Sequence, residues 1–294
     1  MTPLTSPTLA PLALTFSALC WAGNFVAGRA LRHDIDPATL TLLRWSLTLL
    51  LLLGWCGPRL WRGRRAVVRE WRLLLALGAT GLAAFHTLVY LSLAHTSAIN
   101  SMLMLSLAPA AILLAAPLGG AALPTRAQWA GCAVSLLGAG VLVTRGELSG
   151  LHAAPGDLWM LLAVACWAAY SLLLRRRPAD LPNDVALAAS CVPAIVLLLP
   201  LALLTAPQAA IVPTPKLLGL LAYIVVFASL IPFLLWSWAV AVIGPARAGP
   251  YVHLLPVFGT ALAVPLLGES IAASQAVGAA LVLAGLVLAH RTSS

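Results

Sequence analysis

The chain is 294 residues long, of which 62% are apolar and 9% charged, and its formal net charge is +9. Soluble domains carry about 25% charged residues, so this chain lacks the polar side chains needed to cover a soluble surface. The composition excludes a soluble globular enzyme, a nucleic-acid-binding module and a disordered chain. The basic residues stand in short clusters between apolar stretches, a pattern typical of membrane proteins.

Ten apolar stretches approach the roughly 20 residues that a membrane-spanning helix needs. We predict spans near residues 11–31, 38–56, 72–93, 97–118, 126–144, 157–175, 184–204, 217–241, 246–266 and 272–290. Short connections with turn residues separate them, including Asp36-Pro37, Gly119-Gly120 and Gly244-Pro245. The predicted fold class is therefore an all-α integral membrane protein with ten transmembrane helices.

The basic residues of the short loops predict the orientation. With a cytoplasmic N-terminus, twelve loop arginines lie inside: Arg59, Arg62, Arg64, Arg65, Arg69, Arg72, Arg126, Arg175, Arg176, Arg177, Arg247 and Arg291. Three basic residues lie outside, namely Arg32, Arg145 and Lys216. Because cytoplasmic loops are enriched in Lys and Arg, both termini are predicted to be cytoplasmic.

The two halves of the chain, residues 1–145 and 146–294, repeat each other at an offset near 147 residues. Cys20-Trp21-Ala22 recurs as Cys166-Trp167-Ala168, and Gln128, Gly131 and Gly138 correspond to Gln275, Gly278 and Gly285. Each half holds five predicted spans, an odd number, so the halves enter the membrane in opposite directions. Inverted repeats are common in secondary transporters, which bind substrate near the membrane midplane between the repeats.

Several short motifs resemble one known family. Trp21-Ala22-Gly23-Asn24-Phe25 and Leu43-Arg44-Trp45 in the first half, and Gly244-Pro245-Ala246-Arg247-Ala248, Pro265-Leu266-Leu267-Gly268-Glu269 and Gln275-Ala276-Val277-Gly278 in the second, are similar to the EamA type of the drug/metabolite transporter superfamily. The resemblance covers nearly the whole chain as two tandem EamA units. It implies a ten-helix exporter of small metabolites, often amino acids, in a bacterial inner membrane. In length and aromatic content the chain resembles exporters of aromatic amino acids and methyl viologen.

The charged residues offer few coupling groups inside the membrane. All eight acids fall in loops or near helix ends, so a carboxylate-centred proton or sodium site is not predicted. Glu269 is interpreted as a capping or snorkelling group. Arg29 and Arg44 are predicted to snorkel from the outer ends of the first two helices. Alternatively, an inward-facing Arg44 would attract a carboxylate at the outer mouth.

The helical period predicts which polar and aromatic residues face a substrate cavity. The candidate substrate-binding residues are Trp21, Asn24, His86, Tyr90, Asn100, Met104, Trp167, Tyr170, Trp236, Tyr251 and His253. Tyr251 and His253 are two apart, as are Trp236 and Trp238, so only one of each pair is expected to face the cavity. The alternative for each aromatic is bundle packing or the interface belt. Pro109, Pro232 and Pro256 fall within predicted helices and are candidate hinges.

These features favour a carrier that exports small metabolites by alternating access, with amino acids, including aromatic ones, as the expected substrates. An uncharged aromatic cavity also suits flat or quaternary organic cations, so multidrug efflux is the alternative, and a channel is a third. No catalytic or metal-binding set, such as HExxH, occurs in a span, and no enzyme activity, cofactor or nucleic-acid partner is expected. The expected partners are the lipid bilayer and a small-molecule substrate, and a monomer is plausible.

Overall fold

The structure, a computed structural model, describes residues 9–115, 117, 123, 125–144, 155–205, 211–243 and 249–290. Within these residues the elements are helices: α1 Ala10–Ala30, α2 Pro37–Arg62, α3 Arg64–Arg69, α4 Trp71–His95, α5 Ala98–Ala115, α6 Arg126–Thr144, α7 Pro155–Leu174, α8 Asn183–Thr205, α9 215–243, α10 Leu254–Leu267 and α11 Ala273–His290. A 3₁₀ turn, Gly249–His253, precedes α10. The predicted turns at 119–120 and 244–245, and Arg145, Arg247 and Arg291, lie outside the described residues.

Seven helices among the described residues are long and apolar enough to cross a membrane, namely α1, α2, α4, α5, α7, α8 and α9. The other three predicted spans fall on α6, α10 and α11. The last two coincide with shorter apolar stretches, namely Tyr251–Leu267, which begins before α10, and Ala273–Gly285. The prediction of an all-helical membrane protein is confirmed, whereas the number of spans stays a prediction.

Local sequence explains where the long helices begin. Asp36 accepts a hydrogen bond from the Thr39 amide at 2.9 Å and is followed by Pro37, so the first turn of α2 is capped. Thr214 and Pro215 start α9 in the same way, with the Leu217 amide donating to Thr214 Oγ1 at 3.2 Å. These caps satisfy amides that have no partner within their own helix.

Ion pairs and caps mark two opposite ends of the bundle. At one, the Glu269 end, Lys216 pairs with Asp34 at 2.7 Å and the Glu269 carboxylate accepts from the amides of Ala98 and Ile99 at 2.8 and 3.0 Å. At the other, the Arg69 end, Arg69 pairs with Asp180 at 2.9 Å and Arg59 with Asp184 at 2.7 Å. The connection from α1 to α2 lies at the Glu269 end, whereas that from α7 to α8 lies at the Arg69 end.

Helices α6 and α11 form a close antiparallel pair. A Cβ atom built on Gly138 would lie 2.7 Å from the Gly278 carbonyl oxygen, and one on Gly285 would meet the Gly131 carbonyl in the same way. Ser135 Oγ donates to the Val282 carbonyl at 3.2 Å. Residues 131, 135 and 138 correspond to 278, 282 and 285 at the repeat offset of 147. A local twofold axis perpendicular to the two helices therefore relates the contact of Gly138 with Gly278 to that of Gly285 with Gly131. This axis passes near Ser135 and Val282.

Both halves contain a π-helical segment at the same repeat position. It spans Gly78–Ala84 in α4 and Ile224–Leu230 in α9, an offset of 146 residues. A π-helical turn lengthens the hydrogen-bonded ring by one residue and changes which carbonyl oxygens are free to accept other donors. Such segments are frequent at functional sites.

Candidate functional site

Arg44 lies at the centre of a polar network inside the bundle. Its side chain is 1% exposed and lies about 10 Å along α2 from Pro37. Its Nη1 group donates to Asn24 Oδ1 at 3.0 Å and to Tyr90 Oη at 2.9 Å, and Tyr90 Oη in turn donates to Asn24 Oδ1. The prediction that Arg44 snorkels to the interface is wrong, because its guanidinium group hydrogen bonds to partners inside the bundle.

The second half of the chain supplies the other partners of Arg44. The Nε group donates to Ser229 Oγ at 2.7 Å and Nη2 donates to the Ala228 carbonyl oxygen at 3.0 Å. Both acceptors belong to the π-helical segment of α9. Arg44 therefore hydrogen bonds to both halves. Among the described residues, the other cations that bond across the halves lie near one of the two ends of the bundle.

The neighbouring residue, Trp45, makes the matching contact in the first half. Its Nε1 group donates to the Leu82 carbonyl oxygen at 3.0 Å, within the π-helical segment of α4. Leu82 and Ala228 are equivalent positions in the two repeats, 146 residues apart. Arg44 and Trp45, which are consecutive residues of α2, thus donate hydrogen bonds to equivalent carbonyl oxygens in the π-helical segments of α9 and α4, respectively.

A row of aromatic rings crosses the interior beside this network. Neighbouring ring centroids lie 4.8–5.9 Å apart along the row Trp236, Trp21, Phe233, Trp45, His86, Phe85, Trp167 and Tyr170. Most pairs are edge-to-face or tilted, the arrangements that aromatic quadrupoles favour. The row joins rings of α1, α2, α4, α7 and α9, and so runs from one half to the other. It contains five of the predicted candidates.

A small cavity of about 40 Å³ extends from the row toward the Arg69 end. Tyr170 and Phe233 line it beside the row, and Asn183 and Asp184 line its other side. A single water occupies about 10–15 Å³ on this measure, so the cavity holds a few waters and is too small for an amino acid. Binding a larger molecule there requires the surrounding helices to separate.

A larger hollow of about 830 Å³ lies on the outer surface between α2, α3 and α8, lined by Leu53, Trp61 and Val196 among other apolar side chains. Leu53 and Val196 are 42% and 64% exposed on the apolar surface of the bundle. This hollow is remote from the polar network and the aromatic row, and we do not include it in the candidate site.

Asn100 and Met104 lie in a different environment from the one predicted. Asn100 Nδ2 donates to Asp157 Oδ1 at 2.7 Å and contacts Met104 Sδ at 3.7 Å, and Asp157 is fully buried. Asp157 is the third residue of α7, so it does lie near a helix end. The Asp157 carboxylate nevertheless reaches the Asn100 face of α5, because α7 packs its first turn against α5.

The remaining candidates lie at the border of the row. Trp236 contacts Trp21 at 5.2 Å, whereas Trp238 and Tyr251 pack against the apolar cluster around Ala10, Leu14 and Ala239. Tyr251 and His253 are half-buried residues of the 3₁₀ turn and not of an α-helix as predicted. At three residues per turn they still point in different directions. Their role in binding stays a prediction.

The three candidate hinge prolines lie at or beside the start of regular helical segments, and their role as hinges stays a prediction. Pro109 is the second residue of the helical piece Ala108–Ala115, Pro232 the second of Ile231–Ile243 and Pro256 the third of α10. Pro256 lies in the first turn of its helix, where the missing amide of proline has little cost. Pro109 follows the turn at Ser106-Leu107 that divides α5, and Pro232 follows the π-helical segment of α9. Any hinge motion is therefore expected at those irregular segments.

The two regions of the chain that contain this site both match one family. Residues 8–144 and residues 154–291 each match the EamA-like transporter family. The chain belongs to this family. A probable terminal-alkyne amino-acid exporter of Streptantibioticus cattleyicolor is 31% identical over 293 residues, covering 95% of this chain and 92% of that protein. An uncharacterized transporter of Archaeoglobus fulgidus is 25% identical, with 94% and 96% covered.

Two further similarities support the same assignment. A probable amino-acid metabolite efflux pump of Salmonella typhimurium is 28% identical over 172 residues, covering 55% of this chain and 57% of that protein. One crystal structure superposes with a TM-score of 0.66 at 22% identity, over 97% of this chain and 98% of the other, which shows that the two share a fold. These transporter relatives are consistent with the expectation of a non-enzymatic membrane protein.

Sequence reasoning missed five members of this transporter's candidate site: Trp45, Phe85, Ala228, Ser229 and Phe233. Trp45 and Phe85 lie next to Arg44 and His86 in the chain. The positions of Trp45 and Phe85 on their helices could have indicated that they belong to the site. Ser229 and Ala228 carried no such signal, because the π-helical segment that turns them toward Arg44 has no pattern in the sequence that we recognise.

His86 is a buried member of the row, and we expect its titration to be dispensable. Its Nδ1 lies 3.2 Å from the Leu82 carbonyl and its ring packs against Trp45 and Phe85. His86→Gln retains a donor for Leu82, so transport of a small aliphatic amino acid, which does not depend on the row, is expected to stay within about twofold of wild type with an unchanged pH profile. His253→Gln is expected to behave similarly. Abolished transport by a normally folded variant would show that histidine protonation is needed.

Glu269 caps α5 from a distant part of the chain, as the capping interpretation predicted. Its carboxylate accepts from two amides of the first turn of α5 and lies 4.0 Å from Arg29 Nε. Glu269→Gln removes the charge beside a helix N-terminus, and a loss of about 1 kcal/mol of stability is expected. Thermal unfolding of the purified protein measures it, with Asp180→Asn, in an exposed ion pair with Arg69, as control. Equal unfolding temperatures for the two variants would contradict the cap's importance.

Proposed function

We propose that the chain is a secondary carrier of a bacterial inner membrane that exports small metabolites, with amino acids, including aromatic ones, among its substrates. Ten spans form two inverted repeats, residues 1–145 and 146–294, and both termini face the cytoplasm. The single observation that carries the proposal is the Arg44 network, which joins the two halves beside an aromatic row inside the bundle.

Alternating access requires two units that move against each other around a central site. The antiparallel contact of α6 with α11, exchanged by a local twofold axis, supports an inverted pair of units. Arg44 and Trp45 reach the equivalent carbonyl oxygens of the two π-helical segments, which supports a site at the interface between the units. The small cavity beside Tyr170 and Phe233 fits a closed conformation in which the units have not yet separated.

The Arg69 end is proposed to face the cytoplasm. Arg59, Arg62, Arg64, Arg65, Arg69 and Arg72 lie around this end, and Arg175, Arg176 and Arg177 follow α7 there. Inside loops of membrane proteins are enriched in such residues. Since the small cavity extends from the aromatic row toward this end, substrate would enter from the cytoplasm, in the direction of export.

The aromatic row supports substrates with flat or apolar bodies. Ring pairs add about 0.5–1.5 kcal/mol beyond simple burial, and the row offers faces and edges from both halves. The relatives described as amino-acid exporters favour amino acids as the class. Organic cations are the second candidate, because aromatic faces attract cations by up to about 2 kcal/mol when desolvated.

Counterflow in reconstituted vesicles tests the proposal. Vesicles loaded with unlabelled phenylalanine are expected to take up labelled phenylalanine saturably and faster than unloaded ones. A panel of amino acids and of methyl viologen extends the assay to both candidate classes. Counterflow of methyl viologen without that of any amino acid would overturn the amino-acid proposal, and product formation would point to an enzyme.

A further inference from the structure

The charge of Arg44 has no partner of opposite sign among the described residues. Its four hydrogen bonds end on an amide oxygen, a phenol, a hydroxyl and a backbone carbonyl, all neutral. The ion pairs between described residues lie toward the two ends of the bundle, and none includes Arg44. Burying a charge is costly unless it is paired, so a retained cation at this depth points to an anion that binds part of the time.

The two edges of the guanidinium group have different partners. Nη1 is held by Asn24 and Tyr90, both of the first half, to which Arg44 itself belongs. Nε and Nη2 are bound by Ser229 Oγ and the Ala228 carbonyl, both of the second half. The five N–H donors of arginine make four hydrogen bonds here, which leaves one Nη2 donor without an acceptor among the described residues.

The Nε–Nη2 edge is one to which a carboxylate binds with both oxygens in parallel hydrogen bonds. The neutral oxygens of Ser229 and Ala228 lie 2.7 and 3.0 Å from Nε and Nη2. They thus occupy the positions that the two oxygens of a carboxylate would take. A charged acceptor forms hydrogen bonds roughly twice as strong as neutral ones. A substrate carboxylate can therefore displace the two acceptors of the second half while Asn24 and Tyr90 keep the arginine oriented.

We propose that Arg44 binds the carboxylate of the transported molecule, and that this exchange releases the second half from the first. The inference deepens the proposed function and rests on it. The substrate body then lies along the row at Trp45 and Phe233, whose ring centroids are 5.9 Å apart. Substrate binding then coincides with separation of the halves, because the carboxylate replaces the hydrogen bonds by which Arg44 joins the two halves. Organic cations are disfavoured beside the same guanidinium group.

A ligand series on the purified wild-type protein tests this without any variant. L-phenylalanine is compared with its amide and its methyl ester, and 3-phenylpropionate with 2-phenylethylamine, by thermal stabilisation and by competition in counterflow. A ligand stabilises a protein only through preferential binding to the folded state. The ligands without a carboxylate are expected to bind about tenfold more weakly or worse.

Substitutions assign the effect to Arg44. Arg44→Lys keeps the charge but loses the planar fork, and we expect it to reduce the preference for acid over amide about tenfold. Ser229→Ala removes one competing acceptor and is expected to preserve that preference. Arg29→Lys is the matched control, since Arg29 lies at the Glu269 end, and it should bind acid and amide as wild type does.

The outcomes separate the two proposals. Equal binding of L-phenylalanine and its amide, with normal counterflow of L-phenylalanine, overturns carboxylate recognition and leaves the proposed carrier intact. Absence of both binding and counterflow for every amino acid overturns the proposed function itself. A preference for the acid that is unchanged in Arg44→Lys, with this variant folded, overturns the role of Arg44. If Arg44→Lys does not fold, the wild-type ligand series still decides whether the carboxylate is recognised.

Discussion

Gly138→Ala is expected to weaken the contact between α6 and α11 and to lower the unfolding temperature of the purified carrier. The added methyl group would lie 2.7 Å from the Gly278 carbonyl oxygen and 2.8 Å from the Val282 amide nitrogen. Neither is a side chain that can turn away, so the helix backbones must move apart. Overpacking of this kind costs about 1–3 kcal/mol, and small residues at such contacts let membrane helices pack closely.

Gly54→Ala is the matched control for this change. Gly54 lies within α2, and a Cβ atom there meets no atom of the described residues within 4 Å. Alanine favours a helix over glycine by up to about 1 kcal/mol, so this variant is expected to be as stable as wild type or slightly more so. If both variants unfold at the same temperature, the close α6–α11 contact does not hold the protein together.

Trp167→Ala is expected to reduce the transport of aromatic substrates about tenfold in kcat/KM. The ring of Trp167 connects Phe85 at 4.9 Å with Tyr170 at 5.3 Å, so its loss breaks the row between α4 and α7. Transport of a small aliphatic amino acid should fall much less, because that substrate offers no ring for the row. Vesicle uptake with both substrates gives the two values.

Trp238→Ala controls for the loss of one indole ring. Trp238 lies on α9, packs against the apolar cluster around Ala10, Leu14 and Ala239, and is not one of the eight rings that define the row. Its truncation removes a similar volume and should leave the preference for aromatic substrates unchanged. Small and equal effects of the two substitutions would remove the aromatic row from the binding site.

The sequence predicts the helical architecture because its signals are local or repetitive. Long apolar stretches, the caps at Asp36 and Thr214, and the glycines repeated in α6 and α11 each act on a helix or on one pair of helices. The family resemblance rests on motifs in these same segments. For that reason the helix class agrees with the expectation from sequence.

The polar interior could not be predicted because it depends on long-range geometry. Arg44 binds atoms 20, 46, 184 and 185 residues away along the chain. No periodicity on α2 reports whether such partners exist, and without them snorkelling is the better prediction. The burial of Asp157 against Asn100 could not be predicted for the same reason, because it arises from the packing of α7 on α5. The π-helical segments change which atoms face inward in a way that regular helical periodicity does not describe.

Site-directed labelling tests the central claim that the two halves are inverted around the site. His33 and Ala179 are exposed, lie in equivalent connections of the two repeats, and are placed at opposite ends of the bundle. His33→Cys and Ala179→Cys, each in a variant without the five native cysteines, are treated with a membrane-impermeant maleimide on intact cells and after permeabilisation. We expect Cys at 33 to react in intact cells and Cys at 179 to react only after permeabilisation. Reaction of both from the same side of the membrane would contradict the inverted arrangement.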